Sequence, residues 1–543
     1  MTQEERQLLL GDHAVALGAL HAGLSGVYAY PGTPSTEITE YIQTSPLARS
    51  RGVHSRWCTN EKTAMEAALG MSYAGKRALV CMKHVGMNVC ADPFVNSAMT
   101  GVNGGLVVVA ADDPSMHSSQ NEQDSRFYGK FAMIPTLEPS SQQEAYDMMG
   151  RAFAMSEELR LPVLLRLVTR MAHSRAVVEV KAEAQAENAL RPAEDNWVLL
   201  PAAARKRNDR LTALQPELTR MADQTALNRI VASGRPRVGI VACGIGYNYV
   251  TENLRDMDDY EVLQIQQYPL PAETIRKMAA QTGRLLVVED GQPFVEEQLA
   301  GVLPSGVSVE GRLSGALPRT GELTPDNVRA AMGLPPHELH APSANVVSRP
   351  PALCQGCGHR SVYDALNEVI RNTYPDTKVF GDIGCYTLGA LPPFRALNSC
   401  VDMGASITMA KGAADAGLEH VVAVIGDSTF THSGMTGLLD AINANAAMTV
   451  IISDNLTTAM TGGQDSAGLN KYEAICLGLG LDRDHLFVVE PLPKNMPEIA
   501  ALIKREMDYR GLSVIIPRRE CIQTLTRKAK AKAKAKAQAE AKE

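Results

Sequence analysis

Short apolar runs separated by polar loops recur along the chain, and the clearest pair frames the stretch from Val421 to Gln464. Val421 to Ile425 are all apolar and rich in β-branched residues. The run is too short for a helix and predicts a buried strand. Gly426-Asp427-Ser428 breaks it, and a helix is expected next, capped by Ser433, with Met435, Leu438, Leu439 and Ile442 on one face. A second apolar run, Met448 to Ile452, ends in Ser453-Asp454-Asn455. The pattern reads as a βαβ unit with parallel strands and a right-handed crossover. Asp427 and Asn455 then sit at the carboxyl ends of strands, where open α/β sheets bind ligands. Two oxygen donors converging there suit Mg²⁺, which takes few protein ligands and completes its shell with phosphate oxygens and water. An ordinary βαβ unit whose strands end in polar residues reads the same way locally.

The same alternation organises the rest of the chain. In residues 1–180, Leu17 to Ala22 read as helix and Gly26 to Tyr30 as strand. Pro31-Gly32-Thr33-Pro34 makes a tight loop, and Ser35 or Thr36 can cap the helix after it. A strand near Val53 to Trp57 runs into Asn60-Glu61-Lys62 and a small-residue helix from Thr63 to Tyr73. Strands are expected at Arg77 to Met82 and Leu106 to Ala110, each ending in a polar loop. The loop after Ala110 is long and polar, which suits a binding loop or a plain surface loop.

Residues 181–235 turn polar and Ala/Glu/Arg-rich and read as a connecting segment. A second α/β domain covers 236–320, with strands at Arg237 to Ala242, Glu261 to Ile265 and Arg284 to Val288. Its Gly244-Ile245-Gly246 is too short a fragment to mark a dinucleotide site. A Pro/Gly-rich linker is expected over 321–350, a third α/β domain over 351–525, and a low-complexity tail over 526–543. That tail has no apolar face and reads as a frayed, solvated helix or as disordered. The expected fold class is therefore α/β, with several doubly wound parallel-sheet domains.

Composition adds exclusions. With 45% apolar and 21% charged residues the chain is an ordinary globular protein, and its net charge of −7 gives no sign of nucleic-acid binding. No apolar run is long enough to span a bilayer, and the acidic N-terminus does not resemble a signal peptide, so a cytoplasmic location is expected. Ten cysteines in that setting leave metal, cluster or core roles. Cys354-Gln355-Gly356-Cys357 admits three readings: half a zinc site, a redox dithiol, or half an iron–sulfur site. Glu61 alone is a first-turn glutamate that the helix dipole favours. Asp402-Met403-Gly404-Ala405-Ser406 opens a helix whose free N–H groups suit a diphosphate.

Longer patterns add a resemblance. Gly426-Asp427-Ser428, Asn455 twenty-eight positions after Asp427, and Thr457 resemble the metal–diphosphate motif of thiamine-diphosphate enzymes. Tyr30-Pro31-Gly32-Thr33-Pro34-Ser35 and Asn60-Glu61-Lys62 resemble the pyrimidine-binding domain of 2-oxoacid:ferredoxin oxidoreductases, and 236–320 resembles a transketolase C-terminal domain. Cys354-Gln355-Gly356-Cys357-Gly358 with Gly381-Asp382-Ile383-Gly384-Cys385 resembles the cluster-binding pattern of the same family. Lys83-His84-Val85-Gly86-Met87-Asn88 and Asp112-Asp113-Pro114 resemble its indolepyruvate branch, whereas pyruvate enzymes carry an arginine near the start of the latter loop.

The resemblance, over about residues 8 to 525, implies a set of roles. Asp427, Asn455 and the carbonyl of Thr457 would hold Mg²⁺ on thiamine diphosphate, with Gly426, Ser428, Gly404, Ala405, Ser406 and Asp382 around the cofactor. Glu61 would activate the aminopyrimidine ring for removal of the C2 proton, and Thr33 would lie against substrate. Cys354, Cys357, Cys385 and Cys521 would ligate a [4Fe–4S] cluster, with Cys400 and Cys476 as rivals for the fourth place. His117 or Arg126 would hold the substrate carboxylate, and Met82, Met87, Met116 and Met133 would either line an aryl pocket or simply fill core. The implied reaction is oxidative decarboxylation of an aryl 2-oxoacid with coenzyme A to the acyl-CoA. Relatives of this type continue into a ferredoxin-like domain whose cysteine runs are not found here, so electrons are expected to reach ferredoxin or a separate carrier subunit. A small catalytic-partner subunit, of the beta/gamma type, and a dimer of heterodimers are also implied. A non-oxidative thiamine decarboxylase, which has no use for the three cysteines, and a non-catalytic scaffold subunit are the rival readings.

Overall fold

The computed structural model describes residues 5–181, 196–231, 236–254, 259–338 and 340–540, with side chains to 533, and divides into two compact units, Met1–Ala341 and Pro342–Glu543. In the first unit seven strands form one sheet in the order Gln267–Tyr268, Thr136–Leu137, Val163–Val168, Leu106–Asp112, Ala78–Lys83, Gly26–Ala29, His54–Trp57. All neighbours are parallel except the first pair. The central strands Ala78–Lys83, Leu106–Asp112 and Val163–Val168 are buried at every position, as expected of a parallel sheet covered by helices on both faces. A second sheet runs Ser308–Glu310, Arg284–Val288, Val238–Cys243, Tyr260–Ile265, Arg229–Val231, antiparallel only at its last pair.

The chain leaving the second sheet lends Gln267–Tyr268 to the edge of the first. A buried ionic cluster fastens the same junction. The Arg126 guanidinium is fully buried, ion-paired to Asp124 and, at 2.9 Å, to Glu289. Arg166 pairs with Asp112 at 2.6 Å and with Glu138, while Arg312 lies 3.3 Å from Asp290. Tyr268 donates to Glu138 at 2.6 Å. Removing one member would leave a buried charge uncompensated, so these contacts fix the junction more firmly than they stabilise the chain.

The second unit holds a wholly parallel sheet in the order Val379–Gly381, Val421–Gly426, Met448–Ser453, Leu512–Pro517, Leu486–Val489. Both units are α/β, and their larger sheets are parallel apart from one edge pair in each larger sheet of the first unit.

Several local expectations differ from the structure. The helix expected to start after Ser433 begins at Asp427, passes through a π-helical turn at Phe430–Gly434 and continues as Met435–Asn443. Ser433 therefore does not cap it; its hydroxyl instead meets His432 Nδ1 at 2.7 Å. The helix after residue 60 starts at Glu61, because Asn60 Oδ1 accepts from the Thr63 amide at 2.9 Å and caps it two residues early. Inside the expected connecting segment lies the helix Pro201–Gln224, which buries only Leu211, Leu218 and Ala222, a stripe too narrow to stand out in a polar sequence. Residues 182–195 of that segment lie outside the described residues. Within the expected linker, Thr324 and Asn327 cap the helix Pro325–Ala331, and Leu323 and Val328 are fully buried. The low-complexity tail continues the helix Ile522–Glu540. Among the described residues, no helix is long and apolar enough to cross a membrane.

Arg126→Met should destabilise the chain by about 3–5 kcal/mol, because Asp124 and Glu289 would stay buried without their cation. Calorimetry would read this as a lowered unfolding temperature; an unchanged one would show that the cluster carries no strain of charge.

Candidate functional site

In the second unit, the parallel pairing of Gly426 with Ser453 brings two strand ends level. The residues that follow, Asp427 and then Asp454-Asn455, emerge side by side at the carboxyl edge. Asp427 is 2% exposed and accepts from the Ser428 amide at 2.7 Å. The amide of Thr457 then donates to both Asp427 Oδ2 and Asn455 Oδ1, each at 3.1 Å. One N–H serving two acceptors means that the carboxylate and the amide carbonyl oxygen face a common point. Burial, and after it the charge of Asp454, pushes the Asp427 carboxyl up to about 7. Asp454 itself is held by Arg518 Nε at 2.6 Å, and Arg518 also pairs with Glu473. A divalent cation is what such a site favours: it relieves a buried carboxylate, and hard oxygen donors match Mg²⁺.

Directly beside these strand ends is a cavity of about 140 Å³ lined by Cys354, Cys357, Cys385 and Cys521 together with Asn455 and His359. The amide of Cys521 donates to the Asn455 carbonyl at 3.0 Å, which ties the fourth cysteine to the strand end that carries Asn455. Cys357 and Cys354 close a turn through an N–H···O bond of 3.2 Å, and Cys357 Sγ lies 3.2 Å from His359 Nδ1. Burial pushes the Cys385 thiol up to about 12, helped by the neighbouring thiols of Cys521, Cys357 and Cys354. Four sulfurs around one cavity suit a tetrathiolate group, either an iron–sulfur cluster or zinc. The rival cysteines are elsewhere: Cys476 is in the core and Cys400 is exposed, and neither lines the cavity.

The helix Ala405–Asp415 behaves differently from the expectation. Gly404 takes a φ of +95°, and a Cβ there would lie 2.6 Å from the Ser433 Cβ, so only glycine lets the helix start pack onto the π-helical turn. Its N–H groups are already engaged. The Gly404 and Ser406 amides both donate to Asp382 Oδ2 at 3.1 Å, and the Ser406 hydroxyl does so at 2.7 Å. Asp382 caps this helix, also accepts from the Tyr386 hydroxyl, and is pushed up to about 6 by burial. It thus takes the place expected for a diphosphate at Gly404 and Ser406.

In the first unit, Glu61 and the Thr33 loop both lie at the carboxyl ends of strands. Glu61 is 5% exposed, and a Cβ on Gly86 would sit 2.7 Å from its Cγ, so the glycine admits the carboxylate. Gly32, beside half-buried Thr33, approaches the Lys83 Cβ in the same way at 3.1 Å. Lys83, to which the sequence reading gave no role of its own, donates from Nζ to the Ser118 carbonyl at 2.8 Å. Its place at the end of a fully buried strand was the available signal.

The two residues expected to hold a substrate carboxylate do not share that setting. Arg126 has no exposed side-chain surface and is committed to Asp124 and Glu289. His117 is half-exposed, 3.3 Å from Glu322. Of the aspartate pair, Asp112 belongs to the buried ionic cluster, and Asp113 accepts from the Ser118 amide at 2.8 Å and from Thr169 Oγ1 at 2.7 Å. Met82 and Met87 fill core, Met133 is partly buried against it, and Met116 is exposed.

Comparison with known proteins bears on both units. Residues 17–223 match the family model described as pyruvate flavodoxin/ferredoxin oxidoreductase, thiamine diP-binding, and residues 382–515 match the C-terminal TPP-binding domain of thiamine pyrophosphate enzymes. Indolepyruvate oxidoreductase subunit IorA from Methanothermobacter thermautotrophicus is 37% identical over 95% of this chain and 87% of its own length. The chain belongs to this family. The protein of the same name from Pyrococcus abyssi is also 37% identical, over 95% of this chain and 86% of its length. Among solved structures, a 2-oxoglutarate:ferredoxin oxidoreductase from Magnetococcus marinus aligns with 57% of this chain and 62% of that chain, at 15% identity and a TM-score of 0.47. This chain is therefore a thiamine-diphosphate-dependent oxidoreductase of the 2-oxoacid class.

The cysteine geometry is testable without any cofactor. Reduced, metal-free chain titrated with Co²⁺ should show thiolate-to-metal charge-transfer absorbance that weakens in Cys354→Ser, Cys385→Ser and Cys521→Ser. Cys400→Ser and Cys476→Ser should leave it unchanged; an equal loss in either would overturn the grouping.

Proposed function

We propose that this chain is the large, thiamine-binding subunit of an oxidoreductase that decarboxylates aryl 2-oxoacids of the indolepyruvate type. The observation that carries the reading is the convergence of Asp427 and Asn455 on the Thr457 amide beside a four-cysteine cavity. Asp427 and Asn455 offer the oxygen ligands for Mg²⁺, with Thr457 adding its carbonyl and Gly426 and Ser428 flanking the diphosphate. Thiamine diphosphate, when bound, supplies the electron sink that lets the bond to the carboxylate break.

Glu61 is the carboxylate assigned to the aminopyrimidine ring, where a hydrogen bond to the ring nitrogen would favour the imino form and its uptake of the C2 proton. Its burial keeps water from competing for that bond. Thr33, on the loop against Lys83, is the contact assigned to substrate. Cys354, Cys357, Cys385 and Cys521 are assigned to a [4Fe–4S] cluster, which accepts electrons one at a time. The balance is one 2-oxoacid carboxylate and one coenzyme A thiol giving acyl-CoA, CO₂, one proton and two electrons. Those electrons pass to ferredoxin or a similar carrier. The relatives are named as subunits, which supports a small partner subunit here; the assembly we assign to the pair is a dimer of heterodimers.

Asp427→Ala should abolish thiamine diphosphate binding in calorimetry with Mg²⁺, and undiminished affinity would remove the metal assignment. Glu61→Gln should bind the cofactor yet slow C2 proton exchange severely, read by NMR in deuterated buffer. Chain prepared anaerobically should carry about four irons with a broad absorbance that dithionite bleaches. Stoichiometric zinc without iron or sulfide would replace the cluster by a structural site. With the partner subunit and an artificial acceptor, kcat/KM should be higher for indolepyruvate or phenylpyruvate than for pyruvate; the reverse order would remove the aryl assignment.

A further inference from the structure

Three helix ends in the first unit meet at a point that none of the chemistry above uses. Asp12 lies in the first turn of the helix Gly11–His21 and is wholly buried. Neither of its carboxylate oxygens accepts a hydrogen bond. Glu37 lies in the first turn of the helix Thr36–Thr44, half-buried, and the only cationic group its Oε2 meets at close range among the described residues is the imidazole of His173. His173 ends the helix Thr169–His173, and its Nε2 lies 3.5 Å from Glu37 Oε2, an ion pair when the ring is protonated. One ligand atom from each of the three falls within 4.8 Å of the others.

The close approach is built in. A Cβ on Gly11 would lie 2.1 Å from the Met171 carbonyl oxygen, so only glycine lets the first helix press against the chain leading to His173. Asp12 is delivered by that contact. An ionised carboxylate with no donor is among the most costly groups to bury, and a second carboxylate beside it adds repulsion. The cations near the site do not remove that cost. His13 and His173 interact with Glu37, and Arg175 with His13, but none of them bonds to Asp12. A burial this unfavourable needs a proton held between the two carboxyls or a cation held by all three side chains.

We propose that Asp12, Glu37 and His173 bind one divalent transition-metal ion, separate from the thiamine and cysteine sites. The donor set names the class. Two carboxylates with one imidazole suit Zn²⁺, Mn²⁺ or Fe²⁺, whereas Mg²⁺ and Ca²⁺ prefer oxygen alone. In a tetrahedral zinc site neighbouring ligand atoms lie about 3.3 Å apart, given metal–ligand bonds near 2.0 Å. The Glu37–His173 separation already matches this, and Asp12 closes the set by side-chain rotation. Three protein ligands leave a position for water. The ion would tie together the starts of two helices and the end of a third. One of those helices follows directly on the loop that carries Thr33, so the ion also anchors that loop.

The experiment uses full-length chain with Cys354→Ser and Cys357→Ser in place, stripped with a chelator, so that the four-cysteine cavity cannot retain zinc. After incubation with Zn²⁺ and desalting, elemental analysis should find one zinc per chain. The ion should be lost in Asp12→Asn and, independently, in His173→Gln, and kept in Asp427→Ala. Co²⁺ in the same background should give weak visible bands without thiolate charge transfer, as oxygen and nitrogen ligands require. A site that keeps its zinc in both the Asp12 and His173 variants overturns the proposal. So does a parent chain that retains none while Asp12→Asn raises its unfolding temperature, the behaviour of a proton-sharing acid pair. Loss of thiamine diphosphate binding in Asp427→Ala tests the proposed function alone and leaves this inference untouched.

Discussion

The register between two parallel strands decides most of what the second unit can do. Gly426 pairs with Ser453, and the chain on either side of that pair is wholly buried. A slip of one residue would turn each strand's side chains to the opposite face. It would also part Asp427 from Asn455, because both reach the shared Thr457 amide only when the strand ends are level. The next strand, Leu512–Pro517, continues into Arg518 to Cys521, and backbone bonds from Arg519 to Asp454 and from Cys521 to Asn455 carry the same register outward. Asp427, Asn455 and Cys521 are therefore positioned by one ladder.

The first unit solves a different problem with charge. Arg126, Arg166 and Arg312 are fully buried and each is paired with a carboxylate, Arg126 with Asp124 beside the first sheet and Glu289 beside the second. Apolar residues could stabilise the junction as well, but they would allow the sheets to slide. Guanidinium–carboxylate pairs hold one geometry, because a shifted pair leaves buried charge unmatched. The loop carrying Asp112 and Asp113 is thereby fixed at its base, with Asp112 committed inward and Asp113 organising the Ser118 turn on which Lys83 rests.

What the sequence made legible follows from this physics. The strands Val421–Gly426 and Met448–Ser453 could be read because continuous apolar β-branched runs have few other uses, and their ends located Asp427 and Asn455. The Cys354–Cys357 pair was readable from spacing, but Cys385 and Cys521 joined it only through resemblance, since a backbone bond such as that from Cys521 to Asn455 leaves no mark in sequence. Arg126 could not be placed, because a buried arginine and a substrate-binding arginine look the same until its carboxylates are found. The helix starting at Asp427 was misread at Ser433 because a π-helical turn, unlike a cap, has no residue signature. The helices Pro201–Gln224 and Pro325–Ala331 were missed for want of apolar residues: the first buries three side chains and the second only Val328, rather than a full face.

Asp382 illustrates how a helix start can be ambiguous between cofactor and protein. The sequence places free amides at Gly404 and Ser406, and free amides at a helix start attract an anion of any kind. Here the anion is a side chain. Because Asp382 follows directly on the strand Val379–Gly381 and lies three residues before Cys385, its bonds to Gly404 and Ser406 brace the loop that presents that cysteine. Tyr386, whose ring packs on Gly426 and whose hydroxyl meets Asp382, links this brace to the strand that ends in Asp427. The helix start thus holds the cysteine loop and the strand that ends in Asp427 in one frame.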